Sequence, residues 1–289
     1  MTLTFIFSKL GSSILAMRLA FLAAPLAMSA ALFAQPARAT NRSFVYTQES
    51  RVLSPGESEL EPWTTFRAGR SRYYSAIDGR LELEHGLAPG LQLALYWNFS
   101  TQTQDVVQDS LTRELARVTN SEFAGASAEL KYQLSDPTAD VLGSALYLET
   151  TLGPRESELE GKLILDRSIG KWLLAVNLNA ELELEPTRDA DGSELETSFV
   201  LEPILAAAYT LPHGVSVGVE LRGPLGLAGE AKSRTLFGGP VVRFSDRGFW
   251  AALGVQPQLA ALSGQSPDSR LDLSHHERLE VRLLAGFLL

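Results

Sequence analysis

The chain has 289 residues, of which 34 are acidic, 25 basic and none cysteine, and 45% are hydrophobic. That length suits one large domain, and the lack of thiols excludes a disulfide scaffold. The acidic excess excludes the basic surface that nucleic acid requires, so no nucleic-acid partner is expected.

Met17-Arg18 opens an apolar run from Leu19 to Ala34, broken by Pro25 and Ser29, that closes on Ala37-Arg38-Ala39. A positive start, an apolar middle and a small-x-small ending describe a secretory signal peptide, cleaved after residue 39. The run is shorter than the ~20 residues of a spanning helix. Losing Lys9, Arg18 and Arg38 with this leader takes the basic residues from 25 to 22 against 34 acidic ones, a net charge of −12. Residues 40–289 are expected to form the exported domain.

The next stretch, Phe44 to Val52, alternates weakly. An even strand number keeps both chain ends on the periplasmic side. Parity therefore makes residues 40–57 an N-terminal segment, periplasmic or lumenal, rather than an additional strand. A fourteen-strand count is the alternative.

Period two then dominates. In 172–185, Trp172, Leu174, Val176, Leu178, Ala180, Leu182 and Leu184 share a face, while Asn177, Asn179, Glu181, Glu183 and Glu185 share the other. Side chains of a strand alternate between faces, whereas a helix would scatter these residues around its circumference. The pattern predicts about twelve strands: 59–69, 78–87, 91–101, 120–134, 141–152, 157–168, 172–186, 195–209, 214–222, 232–244, 248–261 and 272–288. Tight links at 88–90, 136–140, 169–171, 211–214 and 245–248 alternate with longer polar ones. Leu111, Leu115 and Val118 are spaced for a helical turn inside the longest.

The fold class expected is all-β, an antiparallel up-and-down transmembrane β-barrel, in the outer membrane. A soluble sandwich also alternates, but its strands average ~5–6 residues, and those here suit the ~9–11 that cross a bilayer at a tilt. The polar face would line the lumen with Glu82, Glu84, Glu129, Lys131, Glu158, Glu160, Lys162, Glu181, Glu183, Glu202, Glu220, Arg222, Arg243, Glu280 and Arg282. Trp63, Tyr73, Tyr74, Trp97, Phe99, Trp172, Tyr209, Phe244 and Phe249 are candidates for interfacial aromatic girdles. The last strand alternates from Leu279 to Leu289 with Phe287 near its end. This resembles the carboxyl-terminal signal read by the outer-membrane assembly machinery, which joins lipid as an expected partner.

Phe44-Val45-Tyr46-Thr47-Gln48-Glu49, Leu53-Ser54-Pro55-Gly56-Glu57, Glu59-Leu60-Glu61-Pro62-Trp63 and Leu81-Glu82-Leu83-Glu84-His85-Gly86-Leu87 resemble the amino-terminal part of an uncharacterised proteobacterial outer-membrane β-barrel family. That family is similar in layout to the transporter-like barrels associated with phenol-degradation pathways. The resemblance implies an outer-membrane location and passage of a small molecule, and brings no catalytic residues.

Chemistry is sparse. Ser274-His275-His276-Glu277 is the cluster to weigh for a lipid hydrolase, but strand parity sends Ser274 and His276 inward and His275 outward. Three Ser-Glu-Leu-Glu copies begin at Ser58, Ser157 and Ser193, each opening a strand with both glutamates on one face. A solvated wall and a cation-binding pair are both readings of that arrangement. No catalytic residue, metal ligand or cofactor is assigned. The expected function is porin-like or transporter-like passage of a small solute, with cation preference if the lumen is open. The alternatives are a structural or surface-interaction barrel plugged by its own charges and, behind it, an outer-membrane hydrolase.

Overall fold

The computed structural model describes residues 42–108, 113–189, 192–228, 233–267 and 269–289. The signal peptide expected over 1–39 lies outside these. Among the described residues there is no helix and there are thirteen strands. They are β1 (Ser58–Ala68), β2 (Tyr74–Ala88), β3 (Leu91–Val107), β4 (Leu115–Ser135), β5 (Gly143–Leu152), β6 (Ser157–Ile169), β7 (Trp172–Asp189), β8 (Gly192–Thr210), β9 (Val215–Arg222), β10 (Leu225–Ala228), β11 (Arg234–Asp246), β12 (Phe249–Ser263) and β13 (Leu279–Leu288).

Each strand pairs antiparallel with its neighbours, and β13 returns to β1 through pairs such as Phe66↔Val281, so among the described residues the sheet closes on itself. β9 and β10 both pair with β8 and with β11. They are halves of one stave, which makes the closed barrel twelve-stranded, as the periodicity predicts. Pro224 has no N–H for the ladder and interrupts that stave, while Gly223 N–H still reaches Pro203 O at 3.0 Å.

Side-chain period two turns this closure into two surfaces. Leu95, Leu130, Leu148, Leu163, Leu178, Leu205, Val219, Leu253 and Leu283 point out of the barrel and are 41 to 58% exposed. A continuous greasy belt of this kind is far larger than a water-soluble monomer shows, and it fits hydrocarbon. The alternate positions point inward. Small inward residues at the turn end (Ala175, Ala206, Ala208 and Ala252) leave room for Phe44 and Val45, which pack there with Val241, Trp250 and Leu284.

Residues 42–57 are the part of the chain that fills this space, and Phe44, Val45, Thr47 and Ser50 are fully buried. The close approach depends on glycine. A Cβ on Gly254 would overlap the Val45 side chain, and one on Gly86 would overlap the carbonyl of Ser54.

Four sequence expectations need correction. The last strand starts at Leu279 and not at 272, because Asp272 accepts N–H bonds from Ser274 and His275 at 3.1 Å each and folds 272–275 into a turn. Burial is the largest influence on the Asp272 carboxyl and pushes its pKa up, but the His275 ring and these N–H groups together hold it below its ordinary value. Leu115 and Val118 are strand residues paired with Val107 and Gln104, not part of a helical turn; Leu111 lies outside the described residues. Trp63 belongs to the inward face with Glu61 and Thr65, where Arg42 and Arg80 stack on its ring, so it is no girdle residue. Tyr74 is likewise buried, beneath Arg70 at 3.8 Å. Tyr73, Trp97, Trp172 and Phe244 do stand on the outer surface.

Candidate functional site

The interior has two halves. Toward the tight turns it is filled by residues 42–57, held by side chains from all around the wall. Glu220 alone accepts the backbone N–H groups of Val45, Tyr46 and Thr47 at 3.2, 3.0 and 2.8 Å, plus the Thr47 hydroxyl at 2.8 Å. Asn177 exchanges two bonds with the Gln48 backbone, at 2.6 and 2.9 Å. Gln92 Oε1 accepts from Leu53 N–H at 2.9 Å, and Asp166 from Ser50 N–H at 3.3 Å. A segment with no ladder of its own must satisfy its backbone in this way if it is to stay buried. Glu49, within the segment, has its pKa raised by burial against the partial relief of Ser43 N–H.

Toward the longer loops the interior opens into a cavity of about 380 Å³. One side of its lining is basic and aromatic: Arg42, Arg80, Arg222 and Arg282 with Tyr46 and Trp63. Arg222 and Arg282 lie over the Tyr46 ring at 4.0 and 3.8 Å, so both guanidiniums stack on that one ring. The other side is acidic: Glu156, Glu158, Glu160, Glu181 and Glu202, with Lys162 tied to Glu160 at 2.8 Å. Nearer the loops, a space of about 320 Å³ is lined by Glu183, Glu185 and Glu196 with Arg70. Residues 269–278 close part of this mouth, where Glu277 receives Arg70 at 2.6 Å and Arg67 at 3.2 Å.

Among the residues read from the sequence as lining the lumen, Glu82, Glu84, Glu129, Lys131, Glu220, Arg222, Arg243 and Glu280 are buried. Glu158, Glu160, Lys162, Glu181, Glu183, Glu202 and Arg282 are half-buried. The structure joins Arg222 to Glu202 at 3.1 Å and to Glu280, and sets Lys131 against Gln48 at 3.4 Å. Arg243 lies apart, near Glu49 and Glu59. Sequence reasoning missed Arg42 and Tyr46, whose contacts reach far along the chain and have no local signal. It also missed Glu59 and Glu61 as wall residues, although the Ser-Glu-Leu-Glu copy at Ser58 had marked them. Ser274, His275 and His276 do not form one site: His275 turns to Asp272 at 3.0 Å, while His276 meets Ser233.

Residues 36–289 match the model of a family described as a family of unknown function, DUF6662. The chain belongs to that family. No curated protein sequence matches the chain. Among solved structures, the COG4313 outer membrane channel from Pseudomonas putida F1 is similar with a TM-score of 0.59 at 15% identity, over 85% of this chain and 100% of that one. The NanC porin gives 0.53 at 10% identity, over 80% of this chain and 100% of that one. The translocator domain of the autotransporter NalP from Neisseria meningitidis gives 0.51 at 10%, over 80% and 87%. The likeness is one of fold, and it places the DUF6662 chain among barrels of the outer-membrane type.

Proposed function

We propose that this protein is a porin-like barrel of the outer membrane that takes a small solute in at its loop end and is kept shut by residues 42–57. The carrying observation is the 380 Å³ cavity, which is walled by charge, open toward the loops and floored by the inserted segment. The greasy belt meets lipid, the tight turns face the periplasm and the long loops face outward. Carboxylates outnumber cations at the mouth, so the entering solute carries positive charge. Farther in, acid on one side and stacked guanidiniums on the other suit a solute that also offers a negative or aromatic group. The likeness in layout to phenol-pathway barrels favours the aromatic choice, with Tyr46 and Trp63 as the rings it would meet. No catalytic role is assigned.

A second reading, a structural barrel plugged by its own charges, is favoured by how thoroughly the segment is anchored. Planar-bilayer recording separates the two. The purified mature chain should be nearly silent, and a variant lacking residues 42–52 should show discrete cation-selective steps. Silence in that variant as well, with the barrel shown to be folded, would hand the protein to the structural reading.

A further inference from the structure

β1 and β2 place four glutamates in a square on the enclosed face. In their register Glu59 lies opposite Glu84, and Glu61 lies opposite Glu82. Directly opposed like charges destabilise a sheet even in water. Here Glu59, Glu61 and Glu82 are 0% exposed and Glu84 is 4% exposed. Removing an ionised carboxylate from water costs several kcal/mol, roughly, unless a positive charge and hydrogen bonds replace the water.

Two cations stand near this square, Arg243 beside Glu59 and Arg42 beside Glu61. Arg42 reaches Glu61 at 3.4 Å, and that single guanidinium is shared electrostatically with Glu82, Glu84 and Glu129 as well. The Trp250 indole N–H donates to Glu59, and the Tyr96 hydroxyl donates to Glu129. Glu82 fares worst. Among the described residues neither of its oxygens has a hydrogen-bond partner, and Glu61 lies directly opposite it in the register. A fully buried carboxylate with both oxygens unbonded, beside three other acids, marks a place where a positive charge is owed.

We propose that Glu59, Glu61 and Glu84 bind one divalent cation of the hard, oxygen-seeking class, calcium foremost, with Glu82 completing the ring of negative charge around it. One carboxylate oxygen from each of the three lies within 4.8 Å of the others. Two oxygens bound to the same calcium at about 2.3–2.6 Å stand no more than roughly 5 Å apart, so this triangle is the right size. Calcium also accepts irregular, mostly protein ligation, whereas magnesium keeps waters that a site this dry has no room for. The ion would tie the first two staves together beneath residues 42–57, and it does not require the barrel to conduct.

The test uses the whole mature chain, refolded in detergent, stripped with chelator and then equilibrated with micromolar calcium. Elemental analysis should find about one calcium per chain, and the temperature at which the compact gel band converts to the unfolded one should rise with calcium. Glu84→Gln should weaken calcium binding by about tenfold or more. Terbium provides a readout without mutation: the Trp250 ring touches Glu59, so a bound ion should luminesce on indole excitation and be displaced by calcium. If the cluster instead holds its own protons, wild type retains no calcium and sensitises no terbium, and Glu82→Gln raises the conversion temperature with or without calcium. Any of those results overturns the proposal, and the first two do so even if neither variant folds.

Discussion

Two hairpins of this barrel carry the same square of glutamates. On β1–β2 the opposed pairs are Glu59 with Glu84 and Glu61 with Glu82; on β6–β7 they are Glu158 with Glu183 and Glu160 with Glu181. Each includes a Ser-Glu-Leu-Glu copy, at Ser58 and at Ser157. The first lies near the tight turns, roofed by residues 42–57 and cut off from water. The second lines the cavity beneath the mouth, half-buried, with Lys162 alongside. The local sequence is the same in both, and the surroundings differ: one square is closed over by the inserted segment, while the other borders the cavity with Lys162 among its acids.

The severest way to break this contrast is to take the roof away. Deleting residues 42–52 exposes the first square, and bilayer current should change from near silence to stepwise conduction. In that background Glu82→Gln should alter the unfolding free energy in micelles by less than about 1 kcal/mol, as expected of a solvated charge. The next effect sharpens the contrast within the intact chain. Arg42→Ala removes the guanidinium from the fully buried square and should lose about 3–5 kcal/mol, whereas Lys162→Ala, beside the cavity, should lose less, about 1–3 kcal/mol, between a buried pair and a surface one. Denaturant unfolding of both variants measures the difference.

Gly254→Ala comes third. Its new methyl group collides with Val45, and either the segment lifts or the wall shifts, at about 1–3 kcal/mol. Bilayer openings that accompany the destabilisation identify lifting. Glu181→Gln should barely change stability but should reduce the cation preference read from the reversal potential.

The smallest effect lies at the tight turn after β4, outside both squares. Hydrogen bonds from the Thr138 hydroxyl and from the N–H groups of Ala139 and Thr138 hold the Asp136 carboxyl down at about 2. A depressed pKa means that the turn's contribution is complete above the ordinary aspartate range and fades as the pH falls through about 2. Asp136→Asn should therefore remove a small stabilisation at neutral pH and leave denaturant unfolding measured below about pH 2 nearly unchanged.

Period two made the strands readable, because twelve alternating runs have no other economical explanation. The limits were misjudged where local chemistry overrode alternation. Asp272 turns the chain back before the last strand, while β3 and β4 run on to Val107 and back from Leu115 as a polar ladder that resembles a loop in composition. Face assignments followed from parity, and Trp63 went astray only because aromatic type was weighed above position. The interior was less legible. Glu220 and Val45, or Arg222 and Tyr46, are joined across more than half the chain, and nothing near either residue announces the other. The squares were hidden for a related reason: each half is an ordinary Glu-x-Glu, and only strand register brings two halves together.

The inserted segment is also the direct continuation of β1. Once dislodged it cannot diffuse away, since Glu57 and Ser58 tether it to the wall that it left. Its return is a first-order event at the high local concentration that a short leash imposes. Openings should therefore be brief flickers whose closing rate is independent of protein concentration, and severing the leash after residue 57 would turn a self-resealing door into one that, once empty, stays open.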